Sequence, residues 1–306
     1  MMRNFFGNWI YLILLIIFIG VSFLLTKDSF IVNSLAIQLG VVLIPTILFI
    51  LLIKDTSIKE FIRFNKVSYK KIILSIGIIF LSYPIAVYIN AIFNIFLYLI
   101  FGKVMTVDAI PLVDTEAKYI LNIFLICLLP GICEETLFRG LFLRTSQIKG
   151  VKESILYTAF LFSIFHLNIF IAPGIFFLGI VMGYLVIYTN SIIPSMIAHF
   201  FNNFIAITMQ FLTLRYLSNN VNLESNAPVI SDQAVFVTQF VMGILGGVIV
   251  LICYKILKKA MKLLKGNTSL LTDDIVYQKS SVIVYLPIFI SLILYTGISI
   301  LFMKSI

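Results

Sequence analysis

A chain of 306 residues that is 61% hydrophobic and only 11% charged, with mean hydropathy +1.12, is not a soluble globular protein, which carries about 25% charged residues. The net charge of +9 does not point to nucleic acid, because the basic residues lie in short runs beside apolar segments and form no stripe or patch. The lipid bilayer is the expected partner and nucleic acid is not.

At about 20 apolar residues per crossing, candidate spans follow in chain order over residues 9–25, 32–53, 71–101, 118–144, 152–170, 173–189, 192–212, 234–257 and 282–303. The predicted fold class is all-α, a polytopic transmembrane bundle of eight or nine helices. The first span follows a single basic residue, Arg3, and the stretch from Leu24 to Asp28 has no small-residue cleavage site, so it is read as retained and not as a signal peptide. Spans three and four exceed a perpendicular crossing, and Pro84 and Pro130 are expected to kink them.

Threading the chain with its N-terminus inside puts sixteen of the 22 Lys and Arg on the cytoplasmic side and five outside, with Arg139 in a span. That asymmetry predicts a cytoplasmic N-terminus and nine crossings of the cell membrane. Between spans two and three, Ser57 to Phe64 alternates basic and aromatic residues, which suits either a short amphipathic surface helix or a solvated linker. The loop over 214–233 is the longest polar stretch and carries no chemistry. No repeat or low-complexity tract is present.

Gly179 and Gly183, and again Gly243 and Gly247, stand at the spacing that lets helix backbones approach closely. Asn90 and Asn94 share a face of span three, and interhelical hydrogen bonding is the preferred reading. Cys127, Cys133 and Cys253 have neither zinc-site nor disulfide spacing.

The costly residues are in span four. Glu134, Glu135 and Arg139 fall within six residues, and each costs about 2.5–3.5 kcal/mol at a helix centre on insertion scales. Glu135 and Arg139, four apart, share a face and can pair, whereas Glu134 points about 100° away. A buried carboxylate without a cation is not explained by a structural ion pair. It suits a general base that takes a proton from water. The chain has only two histidines, His166 and His199, and both fall in apolar spans, with Phe162 and Asn203 four residues away on their faces.

Glu134-Glu135-x-x-x-Arg139, then Phe162-x-x-x-His166, then His199-x-x-x-Asn203, on successive helices in that order, resembles the CPBP family of CAAX proteases and bacteriocin-processing enzymes, also called the Abi family. The resemblance covers about residues 115–212. It divides the chain into N-terminal helices over 1–114, a catalytic core over 115–212 and C-terminal helices over 213–306, with the active site buried among the central helices.

The resemblance implies an intramembrane endopeptidase acting on a membrane-associated peptide or protein, such as a CAAX-type tail, a peptide pheromone, a bacteriocin or a signalling protein. Glu134 and His166 would then activate the attacking water, His199 and Asn203 would donate to the oxyanion, and Glu135 and Arg139 would support them.

Two chemistries stay open at this point. Glu134, His166 and His199 make a zinc ligand set with room for water, yet no His-Glu-x-x-His motif is present and the three come from separate helices. Direct activation of water, with no cofactor, is the preferred reading. Two other functions compete with the protease: a non-proteolytic scaffold regulating a sensor kinase or cell-wall enzyme, and a proton-coupled transporter. One geometric tension remains, since at 1.5 Å per residue His199 lies roughly 10 Å into its span and His166 roughly 20 Å into its own.

Overall fold

The computed structural model describes residues 2–25, 30–53, 57–102, 113–147, 150–220, 232–266 and 282–305. Every regular element among them is helical. The chain runs through α1 (Met2–Leu24), α2 (Phe30–Ile53), the single-turn α3 (Ile58–Phe61), α4 (Tyr69–Phe101) and α5 (Glu116–Ser146). It continues through α6 (Val151–Phe165), α7 (Ala172–Thr189), α8 (Ile193–Asn220), α9 (Asp232–Lys265) and α10 (Leu286–Ser305). Among the described residues six helices, α1, α2, α4, α5, α7 and α8, are long and apolar enough to cross a membrane. The protein is a polytopic helical bundle.

One expected span is corrected. The segment 152–170 is apolar throughout, but α6 ends at Phe165 after 15 residues, which reach about 22 Å at the α-helical rise against a hydrocarbon core of about 30 Å. Leu167 then takes a left-handed conformation at φ 50°. His166 therefore caps a short helix and does not sit inside a long one. Irregular backbone at this depth is tolerated where it lines a cavity or is covered by protein; His166 to Ile171 line a cavity of about 400 Å³.

Lys27, Lys54, Lys103, Lys149 and Lys279 lie outside the described residues, as do residues 221–231 of the polar loop expected over 214–233, whose flanks belong to α8 and α9.

The segment from Ser57 to Phe64 forms a helix of one turn only, with Lys59 and Glu60 exposed. Ser57 Oγ caps a single turn by accepting from Glu60 N, and Phe61 and Ile62 are buried. Arg63, at φ 56°, then turns the chain so that its carbonyl accepts from Ile192 N at 3.0 Å. The segment thereby covers the α7–α8 turn.

α4 packs against α7, α8 and α9, and α1 against α10. The paired asparagines of α4 reach the start of α7. Asn94 Nδ2 donates to Phe170 O at 3.2 Å and Asn90 Oδ1 accepts from Gly174 N at 2.7 Å. On α7, a Cβ at Gly179 would meet Ala159 and one at Gly183 would meet Ile155, so both glycines serve close helix packing.

Gly174 is the tightest of these contacts. A Cβ there would lie 2.5 Å from Asn90 Nδ2 and 2.7 Å from Ala86 O. Gly174→Ala is expected to force α4 and α7 apart and to cost about 1–3 kcal/mol. A lowered melting temperature of the detergent-purified variant checks this, and an unchanged one contradicts it.

Three stretches depart from α to π geometry: Ala36–Leu43 in α2, and Ile123–Leu128 and Thr136–Phe142 in α5. Such departures concentrate at functional sites. These three surround Glu134.

Candidate active site

α5 carries the acidic pair. Pro130, in its middle, has no N–H to offer the carbonyl four residues back, and that carbonyl, Ile126 O, accepts instead from Asn203 Nδ2 on α8 at 2.8 Å. A neighbouring helix thus repairs the break, as membrane helices require. Gly131 follows, and a Cβ there would lie 3.2 Å from Met196 O and 3.4 Å from Phe200 N. Its absence lets the α8 backbone lie against α5 and brings His199 within reach of Glu135.

Glu135 and Arg139 form the predicted pair, buried almost completely, with Nη1 to Oε1 at 2.8 Å. Arg139 Nη2 also donates to Gly179 O at 3.2 Å, and its guanidinium lies 4.3 Å from the centre of the Phe162 ring. Phe162 is shared, because both imidazoles pack on it edge to face, His166 at 4.7 Å and His199 at 5.7 Å.

The hydrogen bonds at Nδ1 fix what each imidazole presents. His166 Nδ1 lies 2.8 Å from Phe162 O and His199 Nδ1 lies 2.9 Å from Glu135 Oε1. Both partners accept, so Nδ1 carries the proton in each ring, and in the neutral rings Nε2 holds a lone pair. The two Nε2 atoms then converge on one carboxylate oxygen. His166 Nε2 is 3.9 Å and His199 Nε2 is 4.0 Å from Glu134 Oε2. That oxygen is buried and has no hydrogen-bond partner within the protein, so the cluster presents three acceptors to one small volume. A water at their centre can donate to two of them and be deprotonated by the carboxylate.

The metal alternative is tested by spacing. Bonds of about 2.0–2.1 Å in a tetrahedral site put donor atoms about 3.4 Å apart, and the separations here are wider. Among the described residues no three His, Cys, Asp or Glu side chains form a group that could hold a metal ion. The donor types suit zinc, but this spacing does not.

Glu134, Glu135, Arg139, His166 and His199 are therefore brought together. Asn203 is next to them on α8 and is engaged with Ile126 O; its Oδ1 accepts from Asn202 Nδ2 at 3.0 Å. His166 caps the short α6 and His199 stands in the second turn of α8, and both reach Glu134 Oε2.

Gln38 on α2 is the residue that motif reasoning missed, and its Nε2 donates to Glu134 Oε1 at 2.7 Å. Its signal was an amide in the middle of an apolar span.

A cavity of about 300 Å³ between α2 and α5 is lined by Gln38, Glu134 and His166 among others, and Phe18 and His166 border it and the 400 Å³ cavity alike. His166 thus stands between two spaces. A larger apolar cavity, about 580 Å³ between α4, α8 and α9, does not reach the site.

No curated protein and no solved structure matches the chain. A protein-family model does: residues 116–205 match Rce1-like, the type II CAAX prenyl endopeptidase Rce1-like family. The matched segment contains all seven motif residues from Glu134 to Asn203 and excludes Gln38. The Rce1-like match over residues 116–205 is consistent with the CPBP/CAAX protease family that the three motifs resemble, and it supports a CAAX-type intramembrane endopeptidase at family level.

Proposed function

We propose that this protein hydrolyses a peptide bond of a membrane-associated peptide or protein, using water activated by Glu134. The observation that carries this reading is the convergence of both Nε2 atoms on Glu134 Oε2 at 3.9 and 4.0 Å. The water sits against Oε2, held by the lone pair of His166 Nε2. As its oxygen attacks the carbonyl carbon, its proton passes to Glu134.

The oxyanion that forms is met from α8. His199, oriented by Glu135 through its Nδ1, faces the oxyanion and donates to it from Nε2 once that nitrogen takes up a proton. Asn203 has two Nδ2 hydrogens. One serves Ile126 O and the second serves the oxyanion. Collapse breaks the C–N bond, and Glu134 returns the proton to the leaving amine. Attack by water leaves the new carboxylate on one fragment and the amine on the other, so no further reactant is consumed.

The family match favours a CAAX-type substrate, and the prevailing charge asymmetry of the loops supports an N-inside orientation in the cell membrane. The test is cleavage of a fluorogenic CAAX-type peptide, prenylated and unprenylated, by the protein purified in lipid micelles. His166→Ala is expected to lower kcat by about 10²–10⁴-fold at unchanged abundance. A strong chelator is expected to leave the wild-type rate unchanged. Full activity in the variant would contradict the assignment of His166, and loss of activity with chelator, restored by zinc, would contradict the metal-free chemistry.

A further inference from the structure

Gln38 stands in the middle of α2, outside the segment that the family model matches. Gln38 is half-buried, an amide in an apolar helix is costly unless it is hydrogen-bonded, and its only sequence neighbours within a turn are apolar or small. Its Nε2 offsets part of that cost by donating to Glu134 Oε1 at 2.7 Å, in the range of charge-assisted bonds, while its Oε1 has no partner among the described residues.

The other groups around Glu134 do not anchor it. On its own helix, Glu135 and Arg139 bond each other, and the second Arg139 nitrogen goes to Gly179 O. On α6 and α8, the imidazoles spend their Nδ1 protons on Phe162 O and Glu135. Among the described residues the Gln38 bond is thus the one that holds the carboxylate. With Oε1 fixed, the plane of the group is set and Oε2 is turned toward the two Nε2 atoms.

We propose that Gln38 is a positioning residue for the base, so that the N-terminal helices form part of the reactive site and are not an appendage to it. The π stretch Ala36–Leu43, packed against the α5 segment that contains Glu134, gives the amide its approach. The inference rests on the peptidase reading for its kinetic consequence. Its geometric content, a Gln38–Glu134 bond, stands apart from it.

The test compares wild type, Glu134→Gln and Gln38→Met with the same fluorogenic CAAX-type peptide. Methionine keeps the length and fills the space but donates nothing. Gln38→Met is expected to lower kcat by about 10–100-fold, the worth of one hydrogen bond to a charged group, with KM unchanged.

Wild-type kcat in Gln38→Met, beside an inactive Glu134→Gln, overturns the positioning role and leaves the peptidase standing. A raised KM with unchanged kcat overturns it too, because the amide would then contact substrate. If wild type cleaves neither peptide, the peptidase reading loses its support and melting temperatures decide. Gln38→Met lowering the melting temperature in wild type but not in a Glu134→Leu background supports the bond, and equal lowering in both overturns it.

Discussion

Glu134→Gln is expected to reduce peptide cleavage by about 10²–10⁴-fold in kcat, the span that a positioned general base contributes, while leaving the protein at normal abundance. Glutamine is nearly isosteric. It can still accept from Gln38 Nε2, so the 2.7 Å bond and the packing around it survive, and only the capacity to take a proton is lost. The buried position makes the substitution easy on stability, since it removes a charge that no cation neutralises directly; Arg139, the nearest guanidinium, is bonded to Glu135. A variant that folds and cleaves at the wild-type rate would remove Glu134 from the chemistry. A non-proteolytic scaffold would then be the better account of this bundle.

Arg139→Met is expected to do the opposite, destroying the fold before the chemistry. The side chains of Arg139 and Glu135 are 1% and 0% exposed, and breaking a buried pair by removing one partner costs about 3–5 kcal/mol because the other charge is stranded. Two further contacts go with it, the bond to Gly179 O and the guanidinium on the Phe162 ring, and the stranded carboxylate is the one that orients His199. Little folded protein should be recovered from membranes. Adding Glu135→Gln removes the stranded charge, so the double variant should be recovered at higher yield and melt at higher temperature than Arg139→Met alone. A single variant with wild-type yield and melting temperature would show that the pair is not structural.

Much of this site was legible in the sequence because membranes make polar residues expensive. Glu134, Glu135, Arg139, His166 and His199 stood out against apolar neighbours, and helical spacing alone paired Glu135 with Arg139. The same logic pointed to Asn90 and Asn94, which do bond across helices. Three features were hidden, each for a physical reason. Gln38 is uncharged and isolated, so no spacing rule connects it with a carboxylate 96 positions away. The end of α6 at Phe165 leaves no polar mark, because Leu167 to Ile171 stay mostly apolar while the backbone leaves the helix. The tie from Asn203 to Ile126 O depends on Pro130 depriving that carbonyl of its donor, a consequence visible only once α8 is seen beside α5.

The depth offset between the histidines illustrates the same limit. Residue counting places a side chain along its own helix from the point where the apolar run begins. It assumes that this point lies at the membrane edge. Here the apolar run over 152–170 does not match its helix, which ends at Phe165 so that His166 caps it.

The most direct test of the central claim, attack by a water that Glu134 deprotonates, is cleavage by purified protein in water enriched with oxygen-18. A single heavy oxygen should appear in the new carboxylate of the N-terminal fragment with wild type, and no product should form with Glu134→Gln. Labelled product from the Glu134→Gln variant at the wild-type rate, or no product from well-folded wild type with either peptide, would contradict it.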